Sequence, residues 1–186
     1  MPSIVVPGAG NANYENTDTD PNCLSFDGKI GSMQLDQRRT IDSVDDEILQ
    51  HLQRDGRISI ADLARAISMS PSSVAERVRR LTDLGVILGY AAVVDTAALG
   101  YPLTAFIRLR LTVGVGKSFY DFLGQAPQVL EAHHLTGEDC FLLKVIATSM
   151  SDLESLADKL VTFGHVTTNL VFSSPSTGQV VPASID

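Results

Sequence analysis

The chain has 186 residues, a formal net charge of -8, 44% apolar residues and 19% charged residues. This composition is typical of a soluble globular protein and excludes a disordered or fibrous one. With no apolar run of about 20 residues and no signal peptide pattern, the sequence predicts a cytoplasmic protein without a membrane partner. The acidity argues against a protein that coats nucleic acid, but screening over about 8 to 10 Å leaves room for a local basic surface.

The first 40 residues have almost no apolar periodicity and many turn-forming residues. Such a segment buries too little apolar surface to offset the entropy that is lost on ordering. We therefore expect a flexible tail over residues 1–40, and a second, short mobile tail over residues 176–186.

Three short helical patterns follow the tail. In the first, apolar residues recur every four positions, and Ser43 is a candidate N-cap with acidic residues behind it at the positive end of the helix dipole. The second has its expected cap at Ser59 and an apolar stripe on one face. Ser68 and Met69 form the turn to the third helix, so the pattern predicts a helix-turn-helix.

The third helix has the clearest predicted boundaries. Ser70 suits the N-cap, Pro71 the first helical position, and Gly85 the position just past the end. Its apolar residues converge on one face of the helix. Serine, arginine and acidic residues spread over the opposite face, and Arg77 lies on the flank.

The segment VILGYAAVVD, which follows Gly85, predicts two short strands centred on Gly89. A pair of strands in this place is the shape of a wing after a helix-turn-helix. We therefore predict a winged helix-turn-helix domain over residues 41–95 and a linker over residues 96–100.

A second domain is predicted over residues 101–175. Apolar and polar residues alternate from Leu103 to Leu111, which indicates a strand buried on one side. The remaining predicted elements are a helix at Ser118–Leu123, strands at Val129–Leu135 and Cys140–Ala147, a further helix, and a strand at Val166–Phe172. The order β-α-β-β-α-β predicts a ferredoxin-like fold, so the chain as a whole is predicted to be α+β.

The third helix is the candidate DNA-binding element, because the second helix of a helix-turn-helix enters the major groove. Its N-terminal serines can hold phosphate or reach base edges, and its arginines can pair with phosphate or guanine. The candidate DNA-binding residues are Arg57, Ser70, Ser72, Ser73, Arg77, Arg79 and Arg80. Two alternatives remain open: an ion pair within the protein for Arg77, and a three-helix interaction module for the whole domain.

Two stretches resemble the Lrp/AsnC family of transcriptional regulators. The run IDSVDDEILQHLQRDGRISIADLARAISMSPSSVAERVRRLTDLGVILGYAAVVD looks like the family's winged helix, and HLTGEDCFLLKV looks like the turn-and-strand signature of its effector domain. The resemblance covers about residues 40 to 175. It implies a sequence-specific regulator that binds double-stranded DNA, forms a homodimer through paired ferredoxin-like domains, often assembles into octamers, and responds to an amino acid or related small molecule bound between dimers.

The resemblance places the effector site at a turn between two strands of the second domain. Its candidate residues are Thr136, Gly137, Glu138, Asp139 and Cys140, whose carboxylates and backbone groups would receive an amino acid's ammonium group. The family's commoner pattern is Gly-Asp-aromatic-Asp-aromatic, so Cys140 stands in place of the usual second acid. Without the resemblance, Glu138 and Asp139 are ordinary solvent-facing turn residues.

No metal site, cofactor or enzymatic activity is predicted. His133 and His134 are adjacent on a strand and point to opposite faces, so only one of them could join Asp139 and Cys140 around a metal ion. Reduced thiols are expected for Cys23 and Cys140, which lie far apart in the sequence. The sequence shows no phosphate loop or nucleophile elbow. The alternative function is an amino-acid-sensing regulatory subunit that docks a protein partner through its helical domain.

Overall fold

The computed structural model describes residues 41–137, 139–176 and 178–183. The described chain divides into two compact units, one formed by residues 41–93 with residues 176 and 178–183, and the other by the described residues from 94 to 175. The tail predicted over residues 1–40 lies outside the described residues. In the part of the chain that is described, no helix is long and apolar enough to cross a membrane.

The first unit contains three helices, α1 (Ser43–Arg54), α2 (Ile60–Ala66) and α3 (Pro71–Asp83). They enclose a small core whose buried members are Ile48, Leu63, Ala64, Val74 and Leu81. Burying each of the larger side chains stabilises the unit by about 1.5–3 kcal/mol. The predicted helix-turn-helix is therefore formed by α2 and α3.

The N-cap of α1 is Asp42, so the prediction of Ser43 is wrong. The Asp42 carboxylate accepts a hydrogen bond from the backbone N–H of Asp45 at 2.8 Å, and the Asp45 carboxylate accepts one from the N–H of Asp42 at 3.1 Å. This reciprocal capping box satisfies two N–H groups that an α-helix leaves without an intrahelical partner. The two acids Asp42 and Asp45, three residues apart, form this box one residue earlier than the predicted cap.

The caps predicted for the other two helices are confirmed. Ser59 accepts from the N–H of Asp62 at 3.1 Å, and Ser70 accepts from the N–H of Ser73 at 3.2 Å. Gly85, just past α3, has a φ of +70°, a left-handed conformation that favours glycine.

Residues 86–95 form no strand in the structure, so the prediction of a strand pair is wrong. Val86 and Ile87 pack against the core, whereas the apolar side chains beyond them are exposed, with Val93 fully so and Leu88 at 68%. A two-stranded hairpin alone is marginally stable in water. The apolar pattern indicates an extended conformation, but it does not show whether a second strand pairs with it.

The C-terminal segment 178–183, which falls within the tail predicted over residues 176–186, lies along α1. The Gln53 side-chain amide accepts from the N–H of Val181 and donates to its carbonyl oxygen, both at 2.9 Å. The N–H of Ala183 donates to Asp46 at 2.6 Å. Side chains of α1 thus satisfy backbone groups of a segment that has no periodic pattern of its own, which is why sequence periodicity missed the contact.

The second unit contains four strands and two helices. They are β1 (Leu103–Leu111), α4 (Gly116–Leu123), β2 (Val129–His134), β3 (Phe141–Ala147), α5 (Met150–Val161) and β4 (Gly164–Leu170). The sheet order is β2-β3-β1-β4, and all neighbouring strands are antiparallel. This arrangement confirms the predicted ferredoxin-like order, with β4 beginning two residues earlier than predicted.

The two faces of the sheet differ in character. Alternate residues of β1 (Ala105, Ile107 and Leu109) are buried in a core with Phe119 of α4 and the apolar face of α5. On the other face, β1 presents Phe106, Arg108 and Arg110, and we call this the open sheet face. The turn between β2 and β3 begins one residue beyond β2 and borders this face.

Candidate nucleic-acid interface and effector turn

The N-terminal end of α3 carries an exposed cluster of serines. The Ser70 hydroxyl lies 3.1 Å from that of Ser72 and 2.8 Å from that of Ser73. In the preceding turn, Ser68 has a φ of +55°, and the N–H of Met69 bonds back to the carbonyl of Ala64 at 2.9 Å. This turn directs α3 away from α2 and leaves its serine end accessible to a ligand.

Arg79 lies on the outward face of α3, where 66% of its side chain is exposed. It bonds to Glu76 at 2.7 Å and pairs with Asp83 at 3.5 Å, each about one turn away. The hydrogen bond from Arg79 lowers the pKa of Glu76, and the same contact raises the pKa of Arg79. Exposed ion pairs are weak, so Arg79 can exchange these carboxylates for a phosphate group.

Arg77 and Arg80 are turned toward α1 instead. The carboxylate of Asp45 is fully buried and bonds to Arg77 at 2.8 Å and to Arg80 through its other oxygen. Arg77 also bonds to Asp42 at 2.7 Å. We call these four residues the α1–α3 ion cluster. For Arg77, the structure shows the ion pair within the protein that the sequence left open.

Sequence reasoning missed the role of Asp45, which it assigned only to the helix dipole. The available signal was its position, three residues before Ile48 and seven before Leu52, which places all three on the buried face of α1. The pKa of Asp42 is lowered, first by the backbone N–H of Asp45 and then by Arg77. The pKa of Arg77 is raised by its hydrogen bonds to Asp42 and Asp45.

Arg57 lies in the exposed turn between α1 and α2. Its backbone N–H donates to the carboxylate of Asp55 at 2.9 Å. The structure therefore places Arg57 on the same unit as α3 and at the surface, but it records no contact between Arg57 and the serine cluster.

The predicted effector turn connects β2 to β3 and is closed by the N–H of Leu135, which donates to the carbonyl of Cys140 at 2.7 Å. Gly137 has a φ of +117°, as expected for a turn glycine. Thr136 is exposed, Asp139 is partly buried, and Glu138 lies outside the described residues.

Cys140 is fully buried in the core of the second unit. It is disulfide-bonded, so the expectation of a reduced thiol is wrong for this residue. Cys23 lies outside the described residues.

Asp139 extends from the turn toward the arginines of the open sheet face. Its carboxylate lies 3.6 Å from the guanidinium of Arg108 and 3.9 Å from that of Arg110. About half of each arginine side chain is exposed. Sequence reasoning did not include these arginines in the effector site, although their alternation along β1 placed both on its polar face.

The two histidines of β2 point to opposite faces, as predicted. His133 lies 3.2 Å from Glu131, which also bonds to Lys144 at 2.8 Å, whereas the His134 ring stacks on Phe141. The bond from Lys144 is the main cause that lowers the pKa of Glu131. Within the described residues, no three histidine, cysteine or acidic side chains group as a metal site would require.

Comparison with known proteins finds two domain families in the chain. Residues 41–82 match the AsnC-type helix-turn-helix domain, and residues 104–181 match the Lrp/AsnC ligand binding domain. An uncharacterized HTH-type transcriptional regulator of Bacillus subtilis, YezC, is 38% identical over 136 residues, which are 73% of this chain and 96% of that protein.

Two solved structures share the arrangement. The structure of Bacillus subtilis LrpC superposes with a TM-score of 0.70 at 30% identity, covering 73% of this chain and 97% of that one. A transcriptional regulator of Neisseria meningitidis, solved as a complex with L-Met, superposes with a TM-score of 0.72 at 28% identity, covering 77% of this chain and 97% of that one.

Proposed function

The chain belongs to the Lrp/AsnC family of DNA-binding transcriptional regulators, which are not enzymes, and we propose how its two units perform this function. The first unit binds duplex DNA by inserting α3 into the major groove. The second binds an amino acid at the turn between β2 and β3. Binding at that turn changes the assembly of the protein and, through it, DNA binding.

The exposed face of α3 is the observation that carries the DNA-binding part of the proposal. The serine cluster and Arg79 are accessible on the second helix of a helix-turn-helix, which is the element that reads base edges in this motif. We propose Ser70, Ser72, Ser73 and Arg79 as groove contacts and Arg57 as a phosphate contact. Arg77 and Arg80 have a different role, because both are bonded to carboxylates of α1.

The test is the affinity for duplex DNA measured over a range of salt concentrations. Arg79→Ala should weaken binding by about 10- to 100-fold if a base contact is lost, or flatten the salt slope by about 1 if a phosphate contact is lost. Lys117→Ala is a matched control, since it removes a cation from an exposed i, i+4 pair of the second unit. A wild-type protein without affinity for duplex DNA would instead favour a helical docking module.

The effector part of the proposal depends on the charges around Asp139. A free amino acid is a zwitterion, and the turn offers the Asp139 carboxylate for an ammonium group beside the guanidinium groups of Arg108 and Arg110 for a carboxylate. The ligand binding domain match and the L-Met complex of the Neisseria regulator support an amino acid as the class of effector. Thr136, Gly137, Glu138 and Cys140 complete the proposed turn, in which Cys140 is a buried support.

A thermal-shift screen of the twenty amino acids tests the effector site. A ligand at 100 times its dissociation constant stabilises the folded protein by about 2.7 kcal/mol. Asp139→Asn should abolish the shift of the amino acid identified in the screen, because it removes the ammonium's counter-charge. Asp158→Asn, an exposed acid of α5, is the control. If Asp139→Asn responds as wild type does, the effector binds elsewhere.

We further propose a homodimer that assembles to an octamer and acts in the cytoplasm. A two-fold dimer would place two α3 helices on half-sites about 34 to 36 Å apart, or a multiple of this distance, so the target should be roughly palindromic. Light scattering and footprinting with and without the amino acid measure assembly and half-site spacing. A monomer in solution, or a footprint over a single half-site, would contradict this part.

A further inference from the structure

The arginines of α3 are held in two different ways. Arg79 is paired with carboxylates that are themselves about two-thirds exposed. Arg77 and Arg80 share Asp45, whose side chain has no exposed surface, and only 28% and 37% of their own side chains are exposed. Among the described residues, Asp45 is the one charged side chain that is buried.

This difference decides which arginine can bind a phosphate group. An arginine that moves from an exposed carboxylate to a phosphate exchanges one solvated ion pair for another. An arginine that leaves Asp45 must leave a buried carboxylate with one cationic partner fewer, and a buried charge without its partner is costly. The exposed pairs of Arg79 can therefore be exchanged, whereas those of Arg77 and Arg80 are retained.

We propose that Asp45 is a specificity-determining residue of the DNA-binding unit, whose buried carboxylate keeps Arg77 and Arg80 from the phosphate backbone. Phosphate contacts strengthen binding to every sequence, while base contacts distinguish one sequence from another. Two arginines held within the protein thus lower the non-specific affinity and raise the ratio of specific to non-specific binding. The inference rests on the proposed docking of α3 in the major groove.

The charges of the α1–α3 ion cluster agree with this role. Two carboxylates and two guanidinium groups sum to zero, so the cluster itself carries no net charge toward an approaching duplex. The raised pKa of Arg77 and the lowered pKa of Asp42 show that both are held in their charged forms. Neutralising Asp45 would give the cluster a charge of +1 and release the guanidinium groups from a buried anion.

The experiment measures the affinity of the full chain for two duplexes of equal length over a range of salt concentrations. One duplex is selected from random-sequence DNA by the wild-type protein, and the other is its scrambled version. Asp45→Asn should raise the affinity for the scrambled duplex about tenfold and steepen the salt slope by about 1, so that the specificity ratio falls. Adding Arg80→Gln to Asp45→Asn should return the slope toward the wild-type value.

Asp42→Asn is a second variant that preserves the helix cap, because asparagine caps as well as aspartate. It removes one counter-charge from Arg77 and should change slope and specificity in the same direction by a smaller amount. Asp62→Asn is the control for net charge, since Asp62 pairs with Arg65 in an exposed position on α2. Thermal melting establishes which variants are folded.

Unchanged salt slopes in the folded Asp45→Asn and Asp42→Asn variants would overturn the inference while leaving the proposed function intact. A flatter slope for Arg80→Gln alone would also overturn it, because Arg80 would then contact phosphate in the wild type. If Asp45→Asn does not fold, Asp42→Asn decides the question. A wild-type protein that selects no duplex from random-sequence DNA would overturn both the inference and the proposed function.

Discussion

The side chain of Asp45 connects α1 to α3. Its carboxylate closes the capping box of α1 and bonds to two arginines of α3 while it is fully buried. All buried side-chain nitrogen and oxygen atoms of the described residues have hydrogen-bond partners, so the burial of Asp45 is compensated. Hydrogen bonds between charged groups contribute about 1.5–3 kcal/mol each.

Asp45→Ala should lower the free energy of unfolding by about 2–4 kcal/mol, because it removes the shared anion and one half of the capping box. Chemical denaturation monitored by circular dichroism measures the loss. Asp62→Ala, which breaks an exposed pair on α2, provides the comparison. If the two substitutions lowered the free energy of unfolding equally, the burial of Asp45 would add nothing to its contribution to stability.

Asp42 gives the first unit a dependence on acid pH. Its pKa in the folded chain is lowered below its ordinary value of 3.8, so the charged form is favoured by folding. This contribution is present above the unfolded pKa and is lost as the pH falls through the folded pKa. Wild type and Asp42→Asn should therefore differ in melting temperature near pH 6, and the difference should shrink as the pH falls below 3.8, the ordinary pKa of the group. A difference that persists at low pH would point to packing instead of charge.

The helices and strands were predictable to the extent that their signals are local. The capping residues Ser59 and Ser70 predicted where α2 and α3 begin. The alternation of apolar and polar residues predicted the nine residues of β1. The pair of strands predicted around Gly89 is not formed, because an apolar pattern indicates an extended conformation but does not specify which strand pairs with it. In the candidate site, the serine cluster followed from the cap of α3, whereas the pairing of Arg77 and Arg80 with Asp45 depends on contacts more than 30 residues apart.

At the level of the sheet, Gly164 allows β4 to lie close to β1. A Cβ atom at this position would lie 1.9 Å from the carbonyl oxygen of Arg110, so β4 would have to move. Gly164→Ala should lower the free energy of unfolding by about 1–3 kcal/mol or more. Gly116→Ala is the matched control, because nothing lies within 4 Å of its added methyl group. Comparable melting curves for the two variants would contradict the close approach.

For the whole molecule, the C-terminal segment matters to the first unit although it follows the second. Deleting residues 178–186 removes three hydrogen bonds to Gln53 and Asp46, which should cost about 1.5–4.5 kcal/mol at about 0.5–1.5 kcal/mol for each hydrogen bond. Hydrogen exchange of the backbone amides of α1 measures this loss of stability in the helix that the segment contacts. Gln53→Ala should reproduce part of it, and unaltered protection in both variants would show that the segment does not stabilise α1.

The same segment makes the DNA-binding unit discontinuous in sequence. Residues 41–93 begin this unit and residues 176 and 178–183 complete it, so the intervening residues 94–175 are inserted within it. A fragment that stops at residue 95 would contain α1, α2 and α3 but would lack the C-terminal segment of the DNA-binding unit. The effector domain is thus joined by two covalent connections rather than one, and its final strand, β4, is followed within about ten residues by the segment bound to α1. A displacement of β4 can therefore reach α1 through this short stretch of chain and the hydrogen bonds of segment 178–183 to Gln53 and Asp46.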